Sequence, residues 1–170
     1  KSKYQLFHIS TGDLFRHHIS NKTALGTLAR SYMDKGDLVP DQVTIDMLKD
    51  TVENHPEAKG FIFDGFPRTT KQAVALDDFL SERSTIISAT LALEANDDIL
   101  VKRLINRGKT SGRLDDQDEE KIRNRFEEYK NKTAPLRDFY IAQGKFHSVN
   151  GVGSIDEITQ RLTELIDGLH

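Results

Sequence analysis

Apolar residues recur along this chain with two different periods. Short runs of apolar and small residues predict strands at 6–9, 61–63, 86–93 and 146–149. Between these runs, apolar positions spaced three and four residues apart predict amphipathic helices. The residues that share a helical face form three groups: Leu25, Leu28, Ala29, Tyr32 and Met33; Val43, Met47, Leu48 and Val52; and Ile155, Ile158, Leu162, Leu165, Ile166 and Leu169. Strands that alternate with helices predict an α/β fold in which a parallel sheet is flanked by helices.

Local signals support two of the predicted helix starts. Pro40 suits the first turn of a helix, because its φ is already helical and it has no N–H to leave unpaired. Ser154 and Glu157 have the spacing of a capping box. The run at 86–93 is almost continuously apolar or small, as expected for a strand buried on both faces.

Ligands of parallel α/β sheets bind beyond the carboxyl ends of the strands, so chemistry is expected in the segments that follow them. After the first predicted strand the sequence reads Ser10-Thr11-Gly12-Asp13-Leu14-Phe15-Arg16. A helix that begins here directs backbone N–H groups and the positive end of its dipole toward an anion, with Arg16 about one turn further on. The alternative is an ordinary N-cap followed by a solvated arginine.

The segment after the second predicted strand carries more specific signals. Asp64 ends an apolar strand, the pattern in which an aspartate holds Mg²⁺ directly or through water. A tight turn at Gly65 places Arg68 where its planar guanidinium can grip a phosphate. Gln72 has both the donor and the acceptor needed to read the edge of a base. The alternative for this segment is a capping box formed by Thr69 and Gln72.

Arginines cluster in the region 101–129. Arg103 and Arg107 lie four residues apart on a predicted helix, and such like charges repel each other unless an anion lies between them. Glycines and small polar residues at 108–112 predict a mobile loop. The alternative is a solvated helix pair in which acidic residues compensate the arginines, and for Arg123 we prefer that alternative. Both interpretations stay open for Arg103, Arg107, Arg113 and Arg125.

Composition narrows the class of protein. The 170 residues are 36% hydrophobic and 30% charged, with a net charge of −3 and no cysteine. No apolar stretch approaches a transmembrane helix, the N-terminus lacks a signal-peptide pattern, and no basic excess points to nucleic acid. The lack of cysteine excludes disulfides and thiolate metal sites. We therefore expect a cytoplasmic monomer that binds neither nucleic acid nor membranes.

Five segments together resemble the adenylate kinases, which belong to the nucleoside monophosphate kinases. They are Ser10-Thr11-Gly12-Asp13-Leu14-x-Arg16, Leu38-Val39-Pro40, Asp64-Gly65-Phe66-Pro67-Arg68-Thr69, Gly112-Arg113-x-Asp115-Asp116 and Thr133-x-Pro135. The similarity extends over almost the whole chain, and Asp-Gly-Phe-Pro-Arg is highly specific to these kinases. It implies a P-loop-kinase-like, three-layer α/β/α fold. It also implies one nucleotide kinase domain over 1–170, with an AMP-binding lobe at 11–54, a short lid at 108–115 and the remainder as core.

The resemblance also implies roles at the matching positions. The residues that would surround AMP are Arg16 and Arg68 at its phosphate, and Thr11, Val39, Gly65 and Gln72 at its adenine. Those that would bind ATP are Arg103, Arg107 and Gly153. The arginines that would act in catalysis by clamping the transferring phosphoryl group are Arg68, Arg107, Arg113 and Arg125. Asp115 and Asp116 would fasten the closed lid.

The implied reaction is reversible phosphoryl transfer from MgATP to AMP, which gives two ADP. Mg²⁺ would enter with ATP, and Asp64 would hold it through water. The interval between Arg107 and Arg113 is brief and contains no cysteine, so it resembles the short-lid class and implies no zinc. The related UMP/CMP kinases tend to carry alanine where Thr11 stands and asparagine where Thr69 stands, so both positions favour AMP.

Members of this family begin with a strand, a Gly-x-x-x-x-Gly-Lys-Ser/Thr loop and a helix, a unit of about 30 residues or fewer. The sequence here begins beyond that unit, and 103–110 has only the Gly-Lys-Thr half of the motif, after a predicted helix rather than a strand. We expect the complete protein to carry this unit ahead of Lys1. The alternatives are a non-catalytic AMP-binding fragment or pseudo-kinase and, less favoured, a UMP/CMP kinase.

Overall fold

The computed structural model describes residues 2–35, 39–111 and 119–169. The chain divides into two compact units, Lys1–Thr85 and Ile86–His170. Each unit contains a pair of parallel strands packed against helices, which confirms the predicted α/β class. Within the described ranges, no helix is both long enough and apolar enough to cross a membrane.

The first unit is built around one parallel ladder. After a short 3-10 turn at Ser2–Tyr4, its elements are β1 (Phe7–Ser10), α1 (Thr11–Ser20), α2 (Ala24–Met33), α3 (Asp41–Glu53), β2 (Phe61–Asp64) and α4 (Thr70–Ser81). β1 pairs with β2 from Phe7↔Phe61 to Ser10↔Asp64. The predicted strands at 6–9 and 61–63 are therefore confirmed with small shifts at their ends, and α3 begins at Asp41 with Pro40 as its N-cap, one residue later than predicted.

The predicted core face of α3 is confirmed, whereas that of α2 is only partly right. Val43, Met47, Leu48 and Val52 are all buried, but Leu28 of α2 is 44% exposed. The reason lies at Gly26, where α2 meets α1 so closely that a Cβ would lie 2.0 Å from the carbonyl oxygen of His18. The buried face of α2 is thus centred on Gly26 and Ala29 instead of the larger side chains.

A buried histidine lies at the same helix junction. His18 is 2% exposed, its Nδ1 lies 2.9 Å from Oγ1 of Thr23, and its Nε2 lies 4.0 Å from Oδ2 of Asp50 on α3. The hydroxyl of Thr23 also caps α2 by accepting from the backbone N–H of Gly26 at 3.0 Å. Burial lowers the pKa of His18, because desolvation disfavours the charged imidazolium more than Asp50 favours it.

The second unit contains β3 (Thr90–Glu94), α5 (Asp97–Ser111), α6 (Glu119–Ala142), β4 (Phe146–Asn150) and α7 (Ile155–Asp167). The predicted strand at 86–93 is wrong at its start, and Ile86 is 68% exposed. The ladder between β3 and β4 has five pairs and begins at Thr90↔Phe146. Because Phe146 is the first residue of β4, β3 has no strand partner before Thr90 in this ladder. The prediction at 146–149 is confirmed, with Asn150 added.

The capping box that starts α7 is confirmed, because Ser154 and Glu157 bond to each other's backbone N–H groups. The apolar stripe of this helix is less buried than its sequence predicts. Ile155 is 83% exposed, and Leu169 lies beyond the end of the helix with 37% exposure. The middle of the stripe, at Ile158, Leu162, Leu165 and Ile166, is half-buried, and the helix contacts β4.

Candidate active site

The carboxyl ends of β1 and β2 lie side by side, because Ser10 pairs with Asp64 in the parallel register. The two segments that carry the predicted AMP residues therefore leave the sheet at the same edge. This is the edge at which ligands bind in parallel α/β sheets. The first unit thus brings together residues that are more than fifty positions apart in sequence.

Arg16 lies over the first turn of α1. Its guanidinium contacts the carboxylate of Asp13, and this hydrogen bond lowers the pKa of the Asp13 carboxyl. A Cβ on Gly12 would lie 3.3 Å from both terminal nitrogens of Arg16, so the guanidinium covers that glycine. Among the described residues, the side chain of Ser10 makes no capping bond to α1. The alternative is therefore wrong about an ordinary side-chain N-cap at Ser10. It is right that Arg16 is solvated, because 64% of its side chain is exposed beside Asp13.

Gly65 lies between Thr11 and Arg68. Its φ of +74° is one that side chains other than glycine rarely adopt, and a Cβ here would lie 2.9 Å from Oγ1 of Thr11 and 3.2 Å from Nη2 of Arg68. The carbonyl oxygen of Gly65 accepts a hydrogen bond from Nε of Arg68 at 2.8 Å. This bond fixes the guanidinium of Arg68 beside Thr11 while the side chain stays exposed.

Gln72 is buried and uses both ends of its amide. Its Oε1 accepts from the backbone N–H of Arg68 at 2.8 Å, and its Nε2 donates to Oδ1 of Asp41 at 2.7 Å. Thr69 caps α4 by accepting from the backbone N–H of Gln72 at 3.2 Å. The capping-box alternative is thus right for Thr69, but Gln72 turns to Arg68 and Asp41 instead of returning a bond to the N-cap backbone.

Asp64 is exposed at the end of β2, and its Oδ2 lies 3.2 Å from Nε2 of His8. Among the described residues, no group of three or more His, Cys, Asp and Glu side chains is placed to hold a metal ion. A single exposed carboxylate is sufficient for hydrated Mg²⁺, which usually keeps several water ligands and takes one or two protein carboxylates. Asp64 therefore fits the predicted contact with hydrated Mg²⁺.

Two neighbours of the predicted residues in this unit, His8 and Asp41, were not predicted from the sequence. His8 lies two residues before Ser10 on β1 and is therefore on the same face of the sheet, diagonal to Asp64. Period-two alternation along β1 could have indicated it once the pairing with β2 was known. The sequence gives a weaker indication that Asp41 lies beside Gln72, because only tertiary packing brings the start of α3 to Gln72. Val39, which precedes α3, packs against the cluster of Ala29, Val43 and Met47.

In the second unit, arginines hold the loop that follows β4. Nη1 of Arg103 donates to the carbonyl oxygen of Gly151 at 2.8 Å. Nη1 of Arg161, which was not predicted from the sequence, donates to the carbonyl oxygens of Asn150 at 2.9 Å and Val152 at 2.6 Å. Gly153 completes this loop with a φ of +130°. Two guanidinium groups therefore fix the segment in which the sequence predicted an ATP contact.

The remaining predicted arginines have different outcomes. Arg107 is exposed on α5, one turn beyond Arg103. The mobile loop predicted at 108–112 is wrong at 108–111, because α5 continues to Ser111. Arg123 bonds to Asp98 at 3.0 Å and to Glu119 at 2.9 Å, which confirms that it belongs to a compensated helix pair. The other predicted lid and clamp groups, which are Arg113, Asp115, Asp116 and the side chain of Arg125, lie outside the described part of the structure.

The fold and this edge define the class of protein. A parallel α/β fold whose strand ends carry two arginines, a close-approach glycine and a buried glutamine amide is typical of nucleotide-binding α/β enzymes. Comparison with known proteins is more specific. Residues 1–145 match the family described as adenylate kinase.

Individual relatives agree with this family match. The adenylate kinase of Flavobacterium psychrophilum is 62% identical over 169 residues, which span 99% of this chain and 89% of the relative. That of Flavobacterium johnsoniae is 59% identical with the same coverage. That of Parabacteroides distasonis is 46% identical over 98% of this chain and 87% of the relative. The chain belongs to the adenylate kinase family, and the protein is an enzyme of the phosphotransferase class.

Proposed function

We propose that this protein transfers the γ-phosphoryl group of MgATP to AMP, giving two ADP, and that it also runs the reverse reaction. The observation that carries the AMP half is the fixed guanidinium of Arg68, bonded to the carbonyl of Gly65 and adjacent to Thr11. A planar guanidinium held at the ligand edge of a sheet is suited to grip a phosphate with two parallel hydrogen bonds.

The AMP residues have distinct proposed roles. Arg16 and Arg68 bind the phosphate, and the contact with Asp13 keeps Arg16 near the first turn of α1. The proposed adenine pocket consists of Thr11, the backbone of Val39, Gly65 and Gln72. Gln72 supports this assignment because its amide is held by two partners and keeps one donor and one acceptor for a base.

Mg²⁺ entering with ATP would neutralise phosphate charge, and Asp64 would hold it through water. The role of His8 in this proposal is to orient the Asp64 carboxylate through its contact with Oδ2. The exposed position of Asp64 supports a water-mediated contact, because a hydrated ion needs room at the carboxylate.

The ATP base has a proposed site in the second unit. The carboxyl ends of β3 and β4 and the following loops line a pocket of about 460 Å³, with Glu94, Ala95, Asn150 and Val152 among its walls. Arg103 lies along the adenine in this proposal, and Gly153 contacts ATP from the fixed loop.

Catalysis would proceed by position and electrostatics. An oxygen of the AMP phosphate, already anionic near neutral pH, attacks the γ-phosphorus of ATP while the bond to the bridging oxygen breaks and ADP leaves. No general base is required. Arg68, Arg107, Arg113 and Arg125 would stabilise the charge spread over the transferring group, and a lid at 108–115 fastened by Asp115 and Asp116 would exclude water. We place this reaction in the cytoplasm and expect a monomer.

Replacing Arg68 by alanine tests this proposal in a coupled assay of ADP formation, with full-length protein and AMP, CMP or UMP as acceptor. Wild type should turn over AMP fastest. Arg68→Ala should lose about 10²–10³-fold in kcat, the typical effect of removing one donor to developing charge. Arg83→Ala is the matched control, because Arg83 is an arginine of the same unit that pairs with Glu53 at 2.8 Å, outside the site.

Three outcomes would count against the proposal. Near-normal turnover by Arg68→Ala would show that Arg68 does not have the proposed role at the AMP phosphate. Faster turnover of CMP or UMP than AMP by wild type would overturn the choice of acceptor. AMP binding without turnover of any acceptor would instead favour a non-catalytic AMP-binding protein.

A further inference from the structure

The amide of Gln72 is held between two partners of opposite chemistry. The carboxylate of Asp41 can only accept hydrogen bonds, and it faces Nε2 at 2.7 Å. The backbone N–H of Arg68 can only donate, and it faces Oε1 at 2.8 Å. A flipped amide would place its oxygen against a carboxylate and its nitrogen against another N–H. The pair of partners therefore permits a single orientation of the amide.

This orientation determines what the amide can still bind. A glutamine amide has two N–H donors and two acceptor lone pairs, and the two partners each use one. One donor and one acceptor remain. Because Gln72 is buried, these groups gain most from a ligand that supplies matching groups.

Purine bases present opposite patterns at the edge that contains position 6. A 6-aminopurine such as adenine has an exocyclic N–H donor next to a ring nitrogen acceptor. A 6-oxopurine such as hypoxanthine or guanine has a carbonyl acceptor next to a ring N–H donor. A glutamine free to flip can match either pattern, whereas one held in a single orientation can match only one of them.

We propose that Asp41 is a specificity-determining residue, which makes the nucleotide monophosphate site select 6-aminopurines over 6-oxopurines by holding the Gln72 amide in one orientation. The inference rests on the proposed function, in which Gln72 reads the base of AMP. Asp41 acts through Gln72 and is therefore a positioning residue. It is placed for this role as the first residue of α3, thirty-one positions before Gln72 in sequence.

The test is equilibrium binding of AMP and of its 6-oxo analogue inosine monophosphate to the full-length protein, measured by calorimetry. The readout is the ratio of the two dissociation constants. In Asp41→Asn the side chain at position 41 can donate as well as accept a hydrogen bond. A flipped Gln72 amide is then mismatched only with the backbone N–H of Arg68, instead of with both partners. We expect the preference for AMP to fall by about tenfold, the scale of one hydrogen bond to a charged group.

The structure provides a close control in Asp46→Asn. Asp46 lies on the same helix and also accepts from a glutamine, since Nε2 of Gln42 donates to its Oδ1 at 2.7 Å. Among the described hydrogen bonds and ion pairs, neither residue of this pair bonds to a proposed AMP residue, so its variant should keep the wild-type ratio. A purely structural role of Asp41 would weaken both nucleotides together and leave the ratio unchanged, and that result would overturn the proposal. If Asp41→Asn does not fold, Asp41→Ser supplies the same donor and acceptor with a smaller side chain.

Failure of the proposed function would look different. Gln72→Ala should weaken AMP binding, because it removes the groups that read the base. If Gln72→Ala binds AMP as tightly as wild type, or if wild type does not bind AMP, the assignment of Gln72 is wrong and the inference about Asp41 falls with it. If Gln72→Ala weakens AMP while Asp41→Asn keeps the wild-type ratio, only the inference about Asp41 is overturned.

Discussion

Replacing Gly26 by alanine should destabilise the first unit through one backbone contact between α1 and α2. A Cβ at this position would lie 2.0 Å from the carbonyl oxygen of His18 and 2.7 Å from the backbone nitrogen of Ile19. The first distance is about 1.5 Å shorter than an ordinary contact between non-bonded heavy atoms. Both neighbours are backbone atoms, so no side-chain rotation can relieve the overlap, and the helices must move apart.

The size of the effect follows from two opposing contributions. Overpacking a well-packed interface costs about 1–3 kcal/mol, and a clash with backbone belongs near the upper end of that range. Alanine in place of glycine within a helix returns about 1 kcal/mol. We expect a net loss of about 2 kcal/mol in the free energy of unfolding, which corresponds to a fall in Tm of about 4–8 °C for a protein of this size.

The assay is urea and thermal unfolding of Gly26→Ala beside Gly168→Ala. Gly168 is the matched control, because a Cβ there would make its closest contact at 3.4 Å, an ordinary distance. Its variant should differ from wild type by no more than about 0.5 kcal/mol. The KM for AMP should rise in Gly26→Ala alone, since α1 also carries Arg16. Equal stability of the two variants would contradict the close backbone contact between α1 and α2 at Gly26.

Two further predictions concern other parts of the molecule. Arg103→Ala should raise the KM for ATP by roughly tenfold, the scale of one lost charged hydrogen bond. The KM for AMP should stay unchanged in steady-state kinetics. An effect on the KM for AMP instead would contradict the assignment of Arg103 to the ATP site. Burial lowers the pKa of His18 in the folded state, so its contribution to stability is full above about pH 6.5 and is lost as the pH falls toward and through the folded pKa. Urea unfolding measured from pH 7.5 to 5.5 should therefore show that the free energy of unfolding falls less for His18→Asn than for wild type. An equal fall in the two proteins would contradict this prediction.

Features that depend on local sequence could be predicted well. The capping box of Ser154 and Glu157 is a spacing of three residues, and the structure has it as predicted. The core face of α3 also follows from periodicity. The turn at Gly65 and the position of Arg68 follow from a short motif, because Gly65 adopts a conformation that glycine favours and Arg68 bonds back over only three residues.

Features that depend on tertiary contacts could not be predicted in this way. The start of β3 depends on where β4 begins, so the apolar run at 86–93 did not indicate it. The partners of Gln72 and Asp64 include Asp41 and His8, which are 31 and 56 residues away in sequence. Gly26 resembles any helical glycine until α1 packs against it. Each of these features depends on a neighbour in the folded structure that the local sequence pattern does not reveal.

The parallel register between β1 and β2 has a consequence for the order in which this protein is made. Every described contact that positions Arg16, Arg68 and Gln72 joins residues within Lys1–Thr85. On the ribosome, all partners in these contacts have been synthesised before the first residue of the second unit is added. Vectorial synthesis thus allows the contacts around the proposed AMP residues to form early, and the polypeptide added later need not supply any of them.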